Sequence, residues 1–286
     1  MSKPGFLFRA RDKVLELGAK TRLMGVVNVT PDSFSDGGRC LEADRAVDHS
    51  LSLIEKGAEI LDLGAESSRP GARPVTAQEE LDRLLPVLEG VRKSVQVMLS
   101  IDTYKAPVAE ASLDYGADIV NDISAFRLDA SMPEVVSRYG AGVVLMHMRG
   151  TPSTMHTLAP SSDIFSEVYE ELQIAVNTAY KSDIGRDRIM LDPGIGFGKN
   201  AQESLQLINQ LSGLESLRLP ILVGTSRKSF IGEVLDKPVG ERLLGTVASS
   251  IVAILGGAHV LRVHDVEEVD LAARMVDAIL NEGIPE

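Results

Sequence analysis

The residues of this chain best suited to hold a ligand are Asp102, Asn121 and Asp192, each standing at the end of a short apolar run. An ionised Asp only accepts hydrogen bonds, whereas Asn both accepts and donates. Three such groups converging can grip a flat heterocycle that carries adjacent N–H and C=O groups. Readout of a buried polar edge discriminates strongly, because a wrong ligand leaves buried groups unpaired. Met146 and Phe197 are candidates for the apolar faces of such a slot. Arg262 and His264 lie two apart, so on an extended strand end their side chains share one face. With Asn28 they form a candidate oxyanion or phosphate site. Mg2+ suits that site, since it takes few protein oxygens and completes its shell with substrate phosphates and water.

Other chemistries fit less well. The run Gly194-Ile195-Gly196-Phe197-Gly198-Lys199 lacks the Walker spacing and is followed by Asn200 instead of Ser or Thr. It is not G-x-G-x-x-G either, because Lys199 takes the last glycine's place. The five histidines form no H-E-x-x-H, and there is no Cys cluster, which argues against zinc. Asp102 and Asp192 could act as a glycosidase acid–base pair. The absence of Trp and the presence of Lys228 and Arg262 argue against it. No Ser–His or Cys–His nucleophile arrangement stands out. Taken singly, each of these polar residues reads more readily as a helix cap than as a ligand. The stretch 28–38, Asn28-Val29-Thr30-Pro31-Asp32-Ser33-Phe34-Ser35-Asp36-Gly37-Gly38, could be a capped turn and nothing more.

The elements that would position these residues alternate in type. Apolar, strand-like runs fall at 23–29, 60–63, 98–101, 119–120, 142–146, 189–191, 221–223 and 260–263. Helix-period segments lie between or after them at 43–56, 77–91, 106–114, 133–139, 164–181, 203–211, 240–255 and 266–280. Gly57-Ala58, Gly116-Ala117, Gly140-Ala141 and Gly257-Ala258 read as helix stops before the next strand. Only crossover helices can join parallel strands, and eight right-handed units close most naturally into a (β/α)8 barrel. An open, doubly wound sheet is the alternative. Residues 1–20 carry two apolar scraps, Phe6-Leu7-Phe8 and Val14-Leu15-Glu16-Leu17, which suggest a hairpin plugging one end. The expected organisation is a single α/β domain over 1–286, with the barrel at 21–282. In such a barrel the site lies at the carboxyl face, where every expected strand ends in a polar or charged side chain. Their joint placement favours a ligand mouth over a set of separate caps. Loops after the seventh strand often hold phosphate, so Lys228 in Ser226-Arg227-Lys228-Ser229 reads at first as a phosphate ligand.

The composition narrows the partners. The net charge of −12 argues against nucleic acid or an anionic membrane surface. Cys40 is the sole cysteine, which fits a reducing cytoplasm. No apolar run has the length of a signal or membrane segment, so a cytoplasmic protein is expected.

Several runs in this order resemble the dihydropteroate synthases, a family of pterin-binding (β/α)8 barrels. They are the 28–38 stretch, Glu66–Gly71 as Glu66-Ser67-Ser68-Arg69-Pro70-Gly71, Ser100-Ile101-Asp102-Thr103, Asn121-Asp122, Met146-His147-Met148, Asp192-Pro193-Gly194-Ile195-Gly196-Phe197-Gly198-Lys199, Ser226-Arg227-Lys228-Ser229 and Arg262-Val263-His264. The resemblance implies condensation of 6-hydroxymethyl-7,8-dihydropterin diphosphate with p-aminobenzoate, with Mg2+ as cofactor. It implies that Asp102, Asn121, Asp192 and Lys228 hold the pterin between Met146 and Phe197. Asn28, Arg262 and His264 would hold the diphosphate, with Asn28 also on the metal. Phe34, Ser68, Arg69, Pro70 and Ser229 would shape the p-aminobenzoate pocket, and Asp36 would come over the site as the first loop closes. The resemblance thus moves Lys228 from the phosphates to the pterin. Ser68 stands where the family usually has Thr, and Ala65 where Gly is common. The family is usually homodimeric. A methyltetrahydrofolate–corrinoid methyltransferase would share the pterin grip without needing the Ser-Arg-Lys-Ser and Arg-x-His anion sites. A non-catalytic paralogue would be expected to have lost Asn28, Lys228 or Arg262, and all three are present.

Overall fold

The computed structural model describes residues 3–29, 39–67 and 74–283, with the backbone alone at 39–42 and His156. The chain opens with an antiparallel hairpin, β1 (Phe6–Ala10) and β2 (Lys13–Leu17). There follow β3 (Arg22–Asn28), α1 (Arg39–Glu55), β4 (Ile60–Gly64), α2 (Ala77–Ser94), β5 (Met98–Asp102) and α3 (Ala106–Asp114). Next come β6 (Ile119–Asp122), α4 (Met132–Tyr139), β7 (Gly142–Met146), α5 (Ile164–Lys181), β8 (Ile189–Asp192) and α6 (Ala201–Asn209). The last elements are β9 (Leu222–Val223), α7 (Ser229–Leu235), α8 (Leu243–Leu255), β10 (Val260–Val263) and α9 (Val266–Leu280).

Strands β3 to β8 pair in chain order, all parallel, and β10 lies between β3 and β9. A parallel bridge between Leu191 and Ile221 joins β8 to the β9 segment and closes the ring. The barrel is therefore the architecture, and the open doubly wound sheet is excluded because neither edge is left free. At the helix stops the backbone turns left-handed. Gly140, which ends α4, has φ +58°, a conformation that a Cβ would strain.

The barrel interior follows from the period of two along a strand. Met24, Ile60, Met98, Ile119, Val144, Met190, Leu222 and Val260, one from each strand, form a buried apolar cluster with Phe8, Ala10 and Leu17 of the hairpin. The hairpin therefore plugs the amino-terminal end. Two residues further along each strand, the inward positions are Val26, Asp62, Ser100, Asn121, Met146, Asp192, Gly224 and Arg262. The core thus changes from apolar to polar within one layer. The outward residues, such as Leu61, Ile101 and Leu191, pack under the helices in a second, larger core.

The structure shifts several expected boundaries. β5, β6 and β8 extend far enough to include Asp102, Asn121 and Asp192, which therefore sit on strand tips and not on loops. A polar side chain does not end a strand whose backbone still has ladder partners, as Asp102 opposite Asn121 shows. The helix expected at 240–255 begins at Leu243, after a separate 3-10 turn over Val239–Glu241. α7 was not expected, since its seven residues contain Gly232 and span less than two and a half turns.

Candidate active site

One charged network fills the carboxyl-side half of the barrel. Arg262 on β10 donates from Nε to Asp62 Oδ2 at 2.6 Å and from Nη2 to Asp102 Oδ2 at 2.7 Å. Asn121 Nδ2 donates to the same Asp62 oxygen at 3.0 Å. Asp62 is fully buried, and among the described residues its Oδ1 has no partner; Asn121 Oδ1 is buried and without one as well. Buried acceptors without donors cost free energy, of order 1–3 kcal/mol each. Two of them in one slot mark a place where a ligand's N–H groups belong.

Asp192 closes the opposite side. Its Oδ1 accepts from Gly194 N at 2.7 Å, which leaves Oδ2 for a ligand. Gly194 has φ +65°, and a Cβ there would lie 1.8 Å from the His147 carbonyl oxygen, so only glycine lets the loop pass this close. Lys228 Nζ lies 4.2 Å from the centroid of the Phe197 ring and donates to Ile195 O. Phe197 packs with Met146, Met148, Met155, Ile123 and Tyr104 in a small apolar cluster. The expected slot walls Met146 and Phe197 are thus brought together, and Lys228 stands with them.

Burial is the leading cause of the shifted protonation equilibria here. It pushes the Asp102 carboxyl up to about 7, with Arg262 pulling down and Asp62 pushing up further. It raises Asp192 too, against the pull of Lys228. It brings the Lys228 ammonium down to about 8, opposed by Asp192. Arg262 stays charged, because Asp62 and Asp102 outweigh its desolvation. Asp102 pairs with Arg262 in its ionised form, and Lys228 has its full set of donors only when charged. kcat/KM for the ring substrate is therefore expected to fall below about pH 7 as Asp102 protonates and above about pH 8 as Lys228 loses its charge. Lys228→Arg should remove the alkaline limb and leave the acid one. An unchanged alkaline limb in that variant would refute the assignment.

The remaining expected residues fall in three groups. Asn28 is half-buried at the tip of β3, beside β10, where Val29 N donates to Gly64 O at 2.8 Å and fixes the strand end. His264 Nδ1 pairs with Ser226 Oγ at 3.0 Å, which joins the ends of β9 and β10. Ser229 is exposed and opens α7 directly after Lys228. Phe34, Asp36, Ser68, Arg69 and Pro70 lie outside the described residues, as does the whole expected first lid. Of the polar strand ends noted from the sequence, Asp122 is a turn former. Its two oxygens accept from Ser124 N and Phe126 N, both at 2.8 Å. The His147 ring also leaves the slot, as its place beside inward-facing Met146 requires.

Three residues of this half of the barrel were not anticipated. Asp62 was hidden inside the run Ile60-Leu61-Asp62-Leu63, although a carboxylate in the middle of a buried strand must be paired and so carries a signal. Glu66 accepts from Lys105 Nζ at 2.5 Å, Tyr104 OH at 3.2 Å and Val75 N at 3.3 Å, so it ties down both flanks of 68–73. Lys199, the end of the failed phosphate-loop pattern, donates to the carbonyls of Gly194, Phe197 and His147 at 2.9, 3.1 and 3.2 Å. It is a staple for the glycine loop that carries Phe197. Lys199→Met would leave these carbonyls without their donor and is expected to cost about 3 kcal/mol, measurable by urea unfolding. A loss below about 0.5 kcal/mol would contradict the staple.

A parallel barrel with an acid–amide–guanidinium network and an apolar slot at its carboxyl end defines a binder of flat, N–H-rich rings. The chain belongs to the pterin-binding enzyme family, whose sequence profile matches residues 24–264. Several of its relatives at about 40% identity are named dihydropteroate synthases. The Synechocystis enzyme is 41% identical over 267 residues, covering 93% of this chain and 92% of its own length. The Clostridium difficile synthase, solved in the presence of pteroic acid, superposes with a TM-score of 0.86 at 41% identity, over 91% of this chain and 97% of that one. The Xanthomonas albilineans synthase with 4-aminobenzoic acid gives 0.90 at 38% identity, over 97% and 99%.

Proposed function

We propose that this chain condenses 6-hydroxymethyl-7,8-dihydropterin diphosphate with p-aminobenzoate, forming 7,8-dihydropteroate and releasing diphosphate. The observation that carries this reading is the pair of unpaired buried acceptors, Asn121 Oδ1 and Asp62 Oδ1, across the slot from Asp192. The amino and ring N–H groups of a pterin meet Asn121 and Asp192, and Lys228 donates to the ring's acceptors. Asp102 holds Arg262 in place, and Met146 and Phe197 cover the ring faces. Arg262 has Nε and Nη2 committed to the two aspartates, which leaves Nη1 for a diphosphate oxygen. His264 and Asn28 complete that end.

The donor set at the mouth fits Mg2+: the neutral amide oxygen of Asn28 stands on a fixed strand tip and leaves most positions to diphosphate oxygens and water. When bound, the ion supplies charge neutralisation for the leaving diphosphate. The chain's own residues do the rest. Arg262 and His264 stabilise negative charge as the C–O bond breaks and its electron pair goes to diphosphate. The positive charge on the methylene spreads into the ring held by Asp192 and Asn121. The amine lone pair of p-aminobenzoate then forms the new C–N bond, and the nitrogen loses a proton. The amine is a weak nucleophile, so the residues assigned to p-aminobenzoate, of which Ser229 is described, serve mainly to position it.

Incubating the chain with Mg2+ and both substrates should yield dihydropteroate and one diphosphate per product; a folded sample giving neither would refute the reading. No helix among the described residues is long and apolar enough to cross a membrane, and a cytoplasmic location is part of the same proposal. So is a homodimer. Leu244, Leu255, Leu271, Met275 and Ile279 on α8 and α9 are each at least 61% exposed, an apolar face suited to a second copy. Leu244→Glu with Met275→Glu is expected to give monomers in sedimentation; an unchanged sedimentation coefficient for the double variant would contradict that face.

A further inference from the structure

The backbone of His147 belongs to the slot, but its ring lies on the other side of the barrel wall. His147 N donates to Asp192 O at 2.9 Å, while the side chain, 1% exposed, packs towards α5. There it lines a cavity of about 310 Å3 between the 125–127 turn and α5. Among the described residues neither ring nitrogen has a partner in hydrogen-bonding geometry. Glu171 Oε2 lies 3.3 Å from Nε2 but out of line for a hydrogen bond, and it too is buried without one among the described residues. Glu167 sits one turn earlier on α5, so both carboxylates share the face that meets the ring. One ligand atom from each of the three residues can be chosen so that all lie within 4.8 Å of one another.

We propose that His147, Glu167 and Glu171 form a binding site for a divalent transition-metal ion, with His147 Nε2 as the nitrogen ligand and the cavity leaving room for water in the open positions. The site is separate from the Mg2+ position at Asn28. A four-coordinate ion with bonds of about 2.0–2.1 Å places neighbouring ligand atoms roughly 3.3–3.4 Å apart. The His147–Glu171 spacing of 3.3 Å already has that length. Glu167, already within the 4.8 Å reach of the other two and 29% exposed, closes the remaining distance while Arg149 holds its Oε1. An imidazole with two carboxylates suits zinc-class ions, whereas Mg2+ and Ca2+ prefer oxygen alone.

Three cations stand nearby and temper the affinity. Arg149 Nε bonds Glu167 Oε1 at 2.7 Å, which leaves the other oxygen for a metal. Arg127 Nε is 4.0 Å from Glu171 Oε2, and its Nη2 is occupied by Met148 O. Lys199 is held by backbone carbonyls, among them that of His147. With this balance of charge the site is expected to bind in the micromolar range and not more tightly.

The test is a titration of chelator-treated full-length protein with Zn2+, in excess Mg2+ to fill hard-oxygen positions, read by equilibrium dialysis. Co2+ serves as the spectroscopic probe. The wild type should take up one Zn2+ per chain at this site and show the intense visible bands of low-coordinate Co2+. Glu167→Gln with Glu171→Gln keeps the shape of two partly exposed side chains and is expected to weaken that binding at least tenfold and remove the Co2+ bands. Equal Zn2+ affinity in the double variant would overturn the proposal, as would a wild type that binds no Zn2+ at a hundredfold excess. Both readouts are independent of turnover, so they stand or fall apart from the condensation reaction.

Discussion

Asp192→Asn is expected to lower kcat/KM for the pterin diphosphate by about a hundred- to a thousandfold while leaving the fold intact. The magnitude follows from what the change does to one atom. Asp192 Oδ1 is engaged by Gly194 N, and an Asn oxygen can keep that bond. The amide nitrogen then replaces Oδ2 and turns an N–H donor towards the ring's own N–H groups. The loss of a charge-assisted bond and the creation of a donor–donor clash together cost about 3–4 kcal/mol. The effect should appear in kcat/KM for the pterin substrate, with little change in the KM of p-aminobenzoate, because Asp192 faces only the ring. A variant within tenfold of the parent would remove Asp192 from the binding slot.

The second large effect is expected from Arg262→Met, and it has two readouts. Among the described residues Arg262 is the side chain that pairs with Asp102, and it is the closer of two donors to fully buried Asp62. Removing one partner of a buried ion pair leaves uncompensated charge, which costs about 3–5 kcal/mol. At roughly 2–4 °C per kcal/mol for a chain of this size, Tm should fall by about 10 °C. Asp62→Leu with Arg262→Met removes both the charge and its partner and should recover part of that loss. Inorganic diphosphate binding, by contrast, should be lost in both variants, since Nη1 goes with the side chain. An unchanged Tm in the single variant would mean the carboxylates are not held by Arg262. Retained diphosphate affinity would mean that Arg262 does not reach the leaving group.

The barrel was legible because its signals are local and repeated: an apolar run, a polar tip and a helical period recur along the chain, with a Gly-Ala stop at four of the helix ends. The polar tips Asp102, Asn121 and Asp192 were legible for the same reason, being charged or amide groups at the end of buried strands. Asp62 was not, because attention to strand ends passes over a carboxylate within a strand, where only register shows that it faces the interior. The network in which Arg262 bridges Asp62 and Asp102 joins residues up to 200 positions apart and has no sequence signature. It sets Arg262 against Asp62 and Asp102 inside the barrel, a position that the spacing of Arg262 and His264 does not reveal. Lys199 shows the converse. Its pattern drew attention as a phosphate loop, yet backbone carbonyls occupy its ammonium, so its work is to hold the loop that carries Phe197.

The account's central claim is that the unpaired acceptors inside the barrel are the grip on the pterin. A crystal structure of the chain with 7,8-dihydropteroate tests it most directly. The prediction is a ring between Met146 and Phe197, with Asn121 Oδ1 and an Asp192 oxygen each about 2.7–3.2 Å from ring or amino nitrogens and Lys228 Nζ within reach of a ring acceptor. A pterin bound elsewhere, or one that leaves Asn121 Oδ1 unpaired, would contradict the claim.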